Sequence, residues 1–348
     1  MHEHEYVSEE LLCVLAGIAG EDNVLMTEPM RDYTTFHIGG PADVFVTPRT
    51  PEVLVKVLDT CYLGDVPVTI VGNGSDLLVG DRGIRGVVVL LRDNLAQVEV
   101  DAGSWRVTAQ AGALLRDVAL AAAEEGLSGM EPLWGIPATV GGACFMNAGA
   151  YDGTMGDVLE SVRVYVPSKQ GNRGSVVTLE ARDLNLGYRK SRVHDDGLIV
   201  LSATFKLSPS NPAMVRAAMD DYQARREAKQ PLDMASAGST FKRPEGYFAG
   251  KLIMDAGLRG ARVGDAQVSE KQCDLRFGGC SQPAARARGR ARPHRACAGR
   301  GQGTVRRRPR ARGPHDRRVL TSRIGLGVNV PSPCVRSFKS LKRSGRLG

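Results

Sequence analysis

The chain changes character after Lys271, and that break limits where a fold can lie. From Gln272 to the C-terminus, 18 Arg and 2 Lys stand against Asp274 and Asp316, a net charge of +18; the whole chain carries +8, so residues 1–271 carry −10. Residues 283–319 are mostly Pro, Ala, Arg and Gly, a composition that buries too little apolar surface to offset the entropy of folding. Residues 272–348 are therefore expected to be an arginine-rich, disordered tail. The first 271 residues are long enough for two domains whose cores need no disulfide or metal staple. Because all the basicity lies in the tail, overall charge says little about what the body binds.

Seven cysteines (Cys13, Cys61, Cys144, Cys273, Cys280, Cys297, Cys334) form no C-x-x-C pair and no ligand-like spacing. Reduced thiols in a cytoplasmic protein are expected. The N-terminus MHEHEYVSEELL lacks a basic region followed by an apolar one, and no run of about 18 apolar residues occurs. Neither secretion nor membrane spanning is expected. His2 and His4 read as solvated residues, and no metal site is expected.

PEVLVKVLDTCYL (51–63) has apolar residues at helical spacing behind a proline suited to a first turn. VPVTIVG (66–72) and GVVVLL (86–91) read as buried strands, QVEVDA and RVTAQAG as further strands, and LLRDVALAAAEEGL (114–127) as an amphipathic helix. Residues 134–156 are dense in glycine and alanine and read as a loop whose backbone approaches something closely. SVRVYVP, SVVTLEA and LIVLSATFKL (198–207) return to strand patterning. At SPSNPAMV the composition shifts, with Asn211 and Pro212 placed to start a helix, so a domain boundary is set near Ser208. FAGKLIMDAGL then reads as a helix and RVGDAQVSEK as strand-like.

Two glycine-rich stretches carry the chemistry. VGNGSDLLVGDRG (71–83) follows a strand, and Gly72, Gly74 and Ser75 can present successive N–H groups to an anion; an ordinary tight turn fits the same residues. It matches neither G-x-G-x-x-G nor a P-loop. GIPATVGGACFMNAGAYDGTMGD (135–157) has little charge and suits a backbone packed on a flat, polar-edged ligand, with a small-residue core contact as the alternative. In LGYRKSR (186–192) and SAGSTFKRP (236–244), Arg189 and Ser239 stand among small neighbours. From spacing alone, a surface arginine and a helix cap remain open.

Taken together, TTFHIGGPAD (34–43), VGNGSDLLVGDRGIRG, EPLWGIPATVGGACFMNAGAYDG, GYRKS, SAGSTFKRP and GKLIMDAGLRGARVGDAQVSEK (250–271) resemble, in order, the motifs of the UDP-N-acetylenolpyruvoylglucosamine reductase (UDP-N-acetylmuramate dehydrogenase) family. The resemblance spans roughly residues 25–271. It implies an α+β fold: a two-part FAD-binding domain of the vanillyl-alcohol-oxidase type over 1–207, split near 95–100, and a smaller α+β substrate domain, truncated, over 208–271. It implies FAD as cofactor, held by Gly72, Asn73, Gly74, Ser75, Asp76 and Leu77 and by Gly135, Ile136, Pro137, Thr139, Val140, Gly141, Gly142, Ala148, Gly149 and Ala150. It further implies NADPH as hydride donor and UDP-N-acetylglucosamine enolpyruvate as the substrate reduced. Arg189 matches the family arginine that polarises the substrate carboxylate, Ser239 the serine that donates a proton, and Tyr188 and Lys242 are implied substrate-binding residues. Asp76 departs from the family's usual Asn, and a carboxylate there would repel a pyrophosphate unless it turns away.

The family's third catalytic residue is a glutamate in an L-E-P-E-V-R-like segment, which this chain lacks. Arg, Ala, Gly and Pro have codons beginning with two G or C bases, so a tail rich in them can arise from a GC-rich gene read out of frame. Reading the last two bases of each codon with the first of the next, from Pro293 through Val319 into Leu320, permits L-I-E-H-V-R-D-V-V-K-E-R-Y-G-V-D-L-E-P-E-V-R-M-I-G-E-F. The expectation is a frameshift between about Lys271 and Pro283, with the glutamate codon straddling Arg312 and Gly313. A genuine basic tail binding nucleic acid by counterion release is the competing reading; it lacks interleaved aromatics for base stacking. A flavin oxidase of the same fold acting on another substrate is the remaining alternative.

Overall fold

The computed structural model describes residues 7–277, apart from 169–171, 231, 233, 237, 240, 243, 264–265 and 272–274. The first layer follows from runs that are apolar at nearly every position, a pattern for strands covered on both faces. Helix α1 (Glu9–Ala19) and strand β1 (Val24–Pro29) lead into β2 (Pro41–Val46), helix α2 (Pro51–Leu63), β3 (Val68–Val71) and β4 (Ile84–Leu90). The sheet order is β1-β2-β4-β3, with β1 antiparallel to β2 and the other pairs parallel. Val44, Val46, Val87 and Val89 pack with Leu12, Leu15, Leu54 and Leu58, while Phe45, Val88 and Leu90 join Met30, Val71 and Val79 in a second core. Helix α2 starts where expected: Pro51 opens it, and the Thr50 hydroxyl accepts from Val53 N–H at 3.3 Å. Helix α1, capped by Ser8, and strands β1 and β2 were not anticipated from the sequence.

The second layer contains β5 (Val98–Asp101), β6 (Arg106–Gln110), α3 (Leu115–Glu124), β7 (Leu127–Ser128), α4 (Val140–Met146), β8 (Gly149–Ala150), β9 (Gly153–Thr154), α5 (Met155–Val158), β10 (Leu159–Val166), β11 (Ser175–Glu180), α6 (Arg192–Asp195) and β12 (Ile199–Lys206). Its sheet is antiparallel, in the order β11-β10-β12-β6-β5. The Tyr165 hydroxyl donates to Asp59 at 2.8 Å, tying this sheet to α2. The expectation that residues 134–156 form only a loop is corrected, because α4 lies within them. The Thr139 hydroxyl caps that helix, Asn147 ends it in the left-handed region (φ 42°), and Gly141 packs so closely on Ala111 that a β-carbon would sit 3.1 Å from the alanine's. Tertiary packing here overrides the low helix propensity of glycine.

Strand β13 (Ser208–Pro209) pairs with β7, and helix α7 (Pro212–Lys229) follows, capped by Asn211. The last sheet comprises β14 (Ala235–Ser236), β15 (Arg262–Val263), β16 (Ala266–Val268) and β17 (Leu275–Phe277), ordered β14-β17-β16-β15, with helix α8 (Ala249–Asp255) beside it in sequence. RVGDAQVSEK forms an antiparallel hairpin rather than one strand. β17 lies beyond Lys271 and pairs with both β14 and β16. Residues 278–348, including Arg312 and most of the expected disordered tail, lie outside the described residues.

Cys61 and Cys144 are free and buried, and burial pushes each thiol up to about 12. Among the described residues, no helix is long and apolar enough to cross a membrane, and no cluster of three metal-ligating side chains occurs.

Candidate active site

The loop after β3 is shaped by two close approaches. A β-carbon on Gly72 would sit 2.2 Å from the Thr139 hydroxyl, and one on Gly74 (φ 62°) would sit 2.0 Å from the Tyr33 carbonyl. Only glycine fits at either place. Among the described residues, none of the N–H groups of Gly72, Asn73, Gly74, Ser75 and Asp76 donates a hydrogen bond within the protein, so the loop retains donors for an anion. The Asn73 side chain is already engaged: its amide donates to the Pro137 carbonyl at 2.9 Å and accepts from Arg92 at 3.1 Å. Asn73 thus braces the two glycine-rich stretches against each other.

Asp76 meets solvent inside a cavity walled by protein. Desolvation raises its carboxyl to about 6, against a smaller downward pull from Arg189. No hydrogen bond to its side chain occurs among the described residues.

In the second stretch, the N–H groups of Val140 and Gly141 donate to Ala113 and Ala111 carbonyls, both at 2.8 Å. Their amides are spent on packing α4 against the sheet. Val140 is fully buried in the core and does not line the cavity, whereas Gly135, Ile136, Pro137, Thr139, Gly141, Gly142, Ala148, Gly149 and Ala150 do. Trp134 also lines it, and its buried indole N–H has no partner among the described residues.

Arg189 sits in a tight turn closed by reciprocal Gly187–Lys190 backbone bonds of 3.0 and 3.1 Å. Its φ of 54° is a left-handed conformation costing a non-glycine residue on the order of 1–3 kcal/mol, which persists only where surroundings enforce it. The enforcing residues escaped the sequence reading. Buried Asn147 donates to Gly187 O and accepts from Gly156 N–H, both at 3.0 Å, and fully buried Ser191 donates to Phe145 O at 2.7 Å. The one available signal was an Asn between a possible helix and a glycine run, where left-handed caps occur. Tyr188 is 60% exposed, outside the cavity wall, with the Arg189 guanidinium 5.5 Å from its ring centre.

Ser239 reaches the same cavity from the other domain, beside Ser236 and Gly238; α7 contributes Gln223 and Arg226, and Gln230 follows at its C-cap. Lys242 is exposed and does not line it. Another contributor with no role assigned from sequence is Thr35, whose N–H donates to Gly74 O at 3.3 Å and whose carbonyl accepts from Ser236 N–H at 3.0 Å. The cavity measures about 1710 Å³, larger than the roughly 300–1,000 Å³ usual for one small ligand. The unspent loop amides and the glycine-alanine wall suit the pyrophosphate and flat ring of FAD.

Residues 42–171 match the FAD binding domain family, and residues 230–276 match the UDP-N-acetylenolpyruvoylglucosamine reductase C-terminal domain. The chain is 49% identical over 260 residues to UDP-N-acetylenolpyruvoylglucosamine reductase of Agathobacter rectalis, covering 72% of this chain and 81% of the relative. It is 45% identical over 266 residues to the enzyme of the same name from Clostridioides difficile, covering 76% and 85%. The crystal structure of UDP-N-acetylenolpyruvylglucosamine reductase from Thermus caldophilus superposes with a TM-score of 0.62 at 35% identity, covering 78% of this chain and 90% of that one. With a matching fold, a cavity lined by both glycine stretches, and identity of this extent, the chain belongs to the UDP-N-acetylenolpyruvoylglucosamine reductase family of FAD-dependent oxidoreductases, which serve peptidoglycan synthesis.

Proposed function

We propose that this scaffold carries out NADPH-dependent reduction of UDP-N-acetylglucosamine enolpyruvate to UDP-N-acetylmuramate, and that the chain as written does so poorly. The observation that carries the reading is that Arg189 and Ser239, from different domains, line one cavity with both glycine-rich stretches. Bound FAD, on the Gly72–Leu77 loop and the Gly135–Ala150 wall, supplies the hydride chemistry. As the enolpyruvyl β-carbon gains hydride, negative charge spreads over the α-carbon and its carboxylate. The Arg189 guanidinium, preset by its strained turn, stabilises that charge through its planar fork. Ser239 delivers a proton to the α-carbon, completing addition across the double bond.

The glutamate expected of the family is missing from the written chain, and the frameshift reading accounts for it. Consistent with that reading, the C-terminal domain match ends at residue 276, just past the compositional break. The test is oxidation of NADPH dependent on the UDP sugar, measured on this chain and on a version restored to the shifted frame. Full activity of the written chain would overturn the impairment, and inactivity of the restored chain with bound FAD would overturn the substrate assignment.

A further inference from the structure

We infer that Thr35 is a positioning residue that couples FAD occupancy of the Gly72–Leu77 loop to the placement of the segment bearing Ser239. On one side, the backbone at Tyr33–Thr35 is pressed against the loop: the Tyr33 carbonyl excludes any β-carbon from Gly74, and Thr35 N–H donates to Gly74 O at 3.3 Å. On the other side, Thr35 accepts from Ser236 N–H at 3.0 Å, and its hydroxyl donates to the Ser236 carbonyl. Ser236 belongs to β14, the edge strand of the last sheet, whose other neighbour is β17. Thr35 therefore occupies the open edge of that strand with both main-chain and side-chain bonds. A turn carries the constraint onward, since Gly238 (φ 77°) donates to the Ser236 hydroxyl at 3.1 Å and Ser239 follows on the cavity wall.

A ligand held by the loop amides restrains Gly74, hence Thr35, hence Ser236 and Ser239. The route is a contiguous chain of hydrogen bonds with an identifiable removable link, the Thr35 hydroxyl. Valine keeps the shape of threonine but leaves the Ser236 carbonyl without that donor; serine keeps the donor.

The inference rests on FAD occupying this loop, so the test reads both events. Hydrogen exchange of the 235–239 segment is followed in the full chain with and without FAD, while FAD uptake is read from the flavin spectrum. In the wild type, FAD slows exchange there by about fivefold or more, the lower range of ordinary coupling between sites. Thr35→Val still takes up FAD but loses most of that slowing, and Thr35→Ser regains it. FAD uptake with no change at 235–239 in the wild type, or undiminished slowing in Thr35→Val, overturns the inference alone. Failure of the wild type to take up FAD overturns the cofactor placement and this inference with it.

Discussion

The FAD-binding part and the substrate part of this molecule differ in how deeply their described residues are buried. In the former, Phe45, Tyr165, Phe205 and Leu15 are fully buried, and the first sheet has an apolar core on each face. Beyond Lys229, the buried residues among those described are Ala266, Val268 and Ser269. Helix α8 buries none of its residues, and Tyr247 and Phe248 before it are 62% and 61% exposed. A helix that leaves its apolar side chains largely exposed gains little burial energy. The break in composition thus follows the densely packed FAD-binding part and falls inside the stretch that matches the C-terminal domain, residues 230–276.

Testing the proposed shifted frame gives the largest expected effect. A gene returned to the shifted frame after Phe277 is expected to turn over the UDP sugar about 10²–10⁴-fold faster than the chain as written, the range for a positioned acid or base; equal rates would show that the site needs nothing from that segment. Phe45→Ala, in the densely packed part, is expected to cost about 3–5 kcal/mol in urea unfolding. A loss below about 1 kcal/mol would mean that the first sheet is loosely packed. Asn147→Ala removes one of two donors to the half-buried Gly187 carbonyl and the acceptor of Gly156 N–H, and the expected cost is about 0.5–1.5 kcal/mol. Unfolding that matches the wild type would dissociate Asn147 from the Arg189 turn.

Asp76 sharpens the comparison through pH. Its pKa of about 6, raised by desolvation, means that the folded protein holds this proton more tightly than the unfolded chain does. Its stabilising contribution is present below the ordinary carboxylate pKa and lost as pH rises through about 6. An anion at the loop raises that pKa further, so FAD affinity is expected to fall above pH ~6 by up to about tenfold per unit until the bound-state pKa is passed. Asp76→Asn is expected to flatten the profile, and parallel profiles in a fluorescence titration would remove Asp76 from the FAD site. The smallest effect is expected in the less deeply buried part: Leu252→Ala, on α8, should change unfolding free energy by no more than about 0.5 kcal/mol. A cost near that of Phe45→Ala would show that α8 is packed after all.

Much of the fold was legible because its signals are local. The Pro51 and Asn211–Pro212 starts announce α2 and α7, and continuous apolar runs announce β3 and β4. Glycine density misled at α4, where the Thr139 cap and the close approach to Ala111 supply what propensity lacks. Spacing alone left Arg189 and Ser239 undecided, and family motifs singled them out. Asn147 and Thr35 were missed because their partners lie 40 and 201 residues away.

The sequence by itself determined where the composition breaks, where α2 and α7 start, which apolar runs become β3 and β4, and which short stretches can carry chemistry. These depend on periodicity, turn residues and composition, all readable within a few residues. The tertiary structure decided that Gly141 faces the cavity while Val140 enters the core, that Arg189 is held in a left-handed turn, and that Asp76 keeps its proton to about pH 6. Burial, desolvation and long-range hydrogen bonds exist only once distant segments have been brought together, and no local pattern encodes which ones will meet.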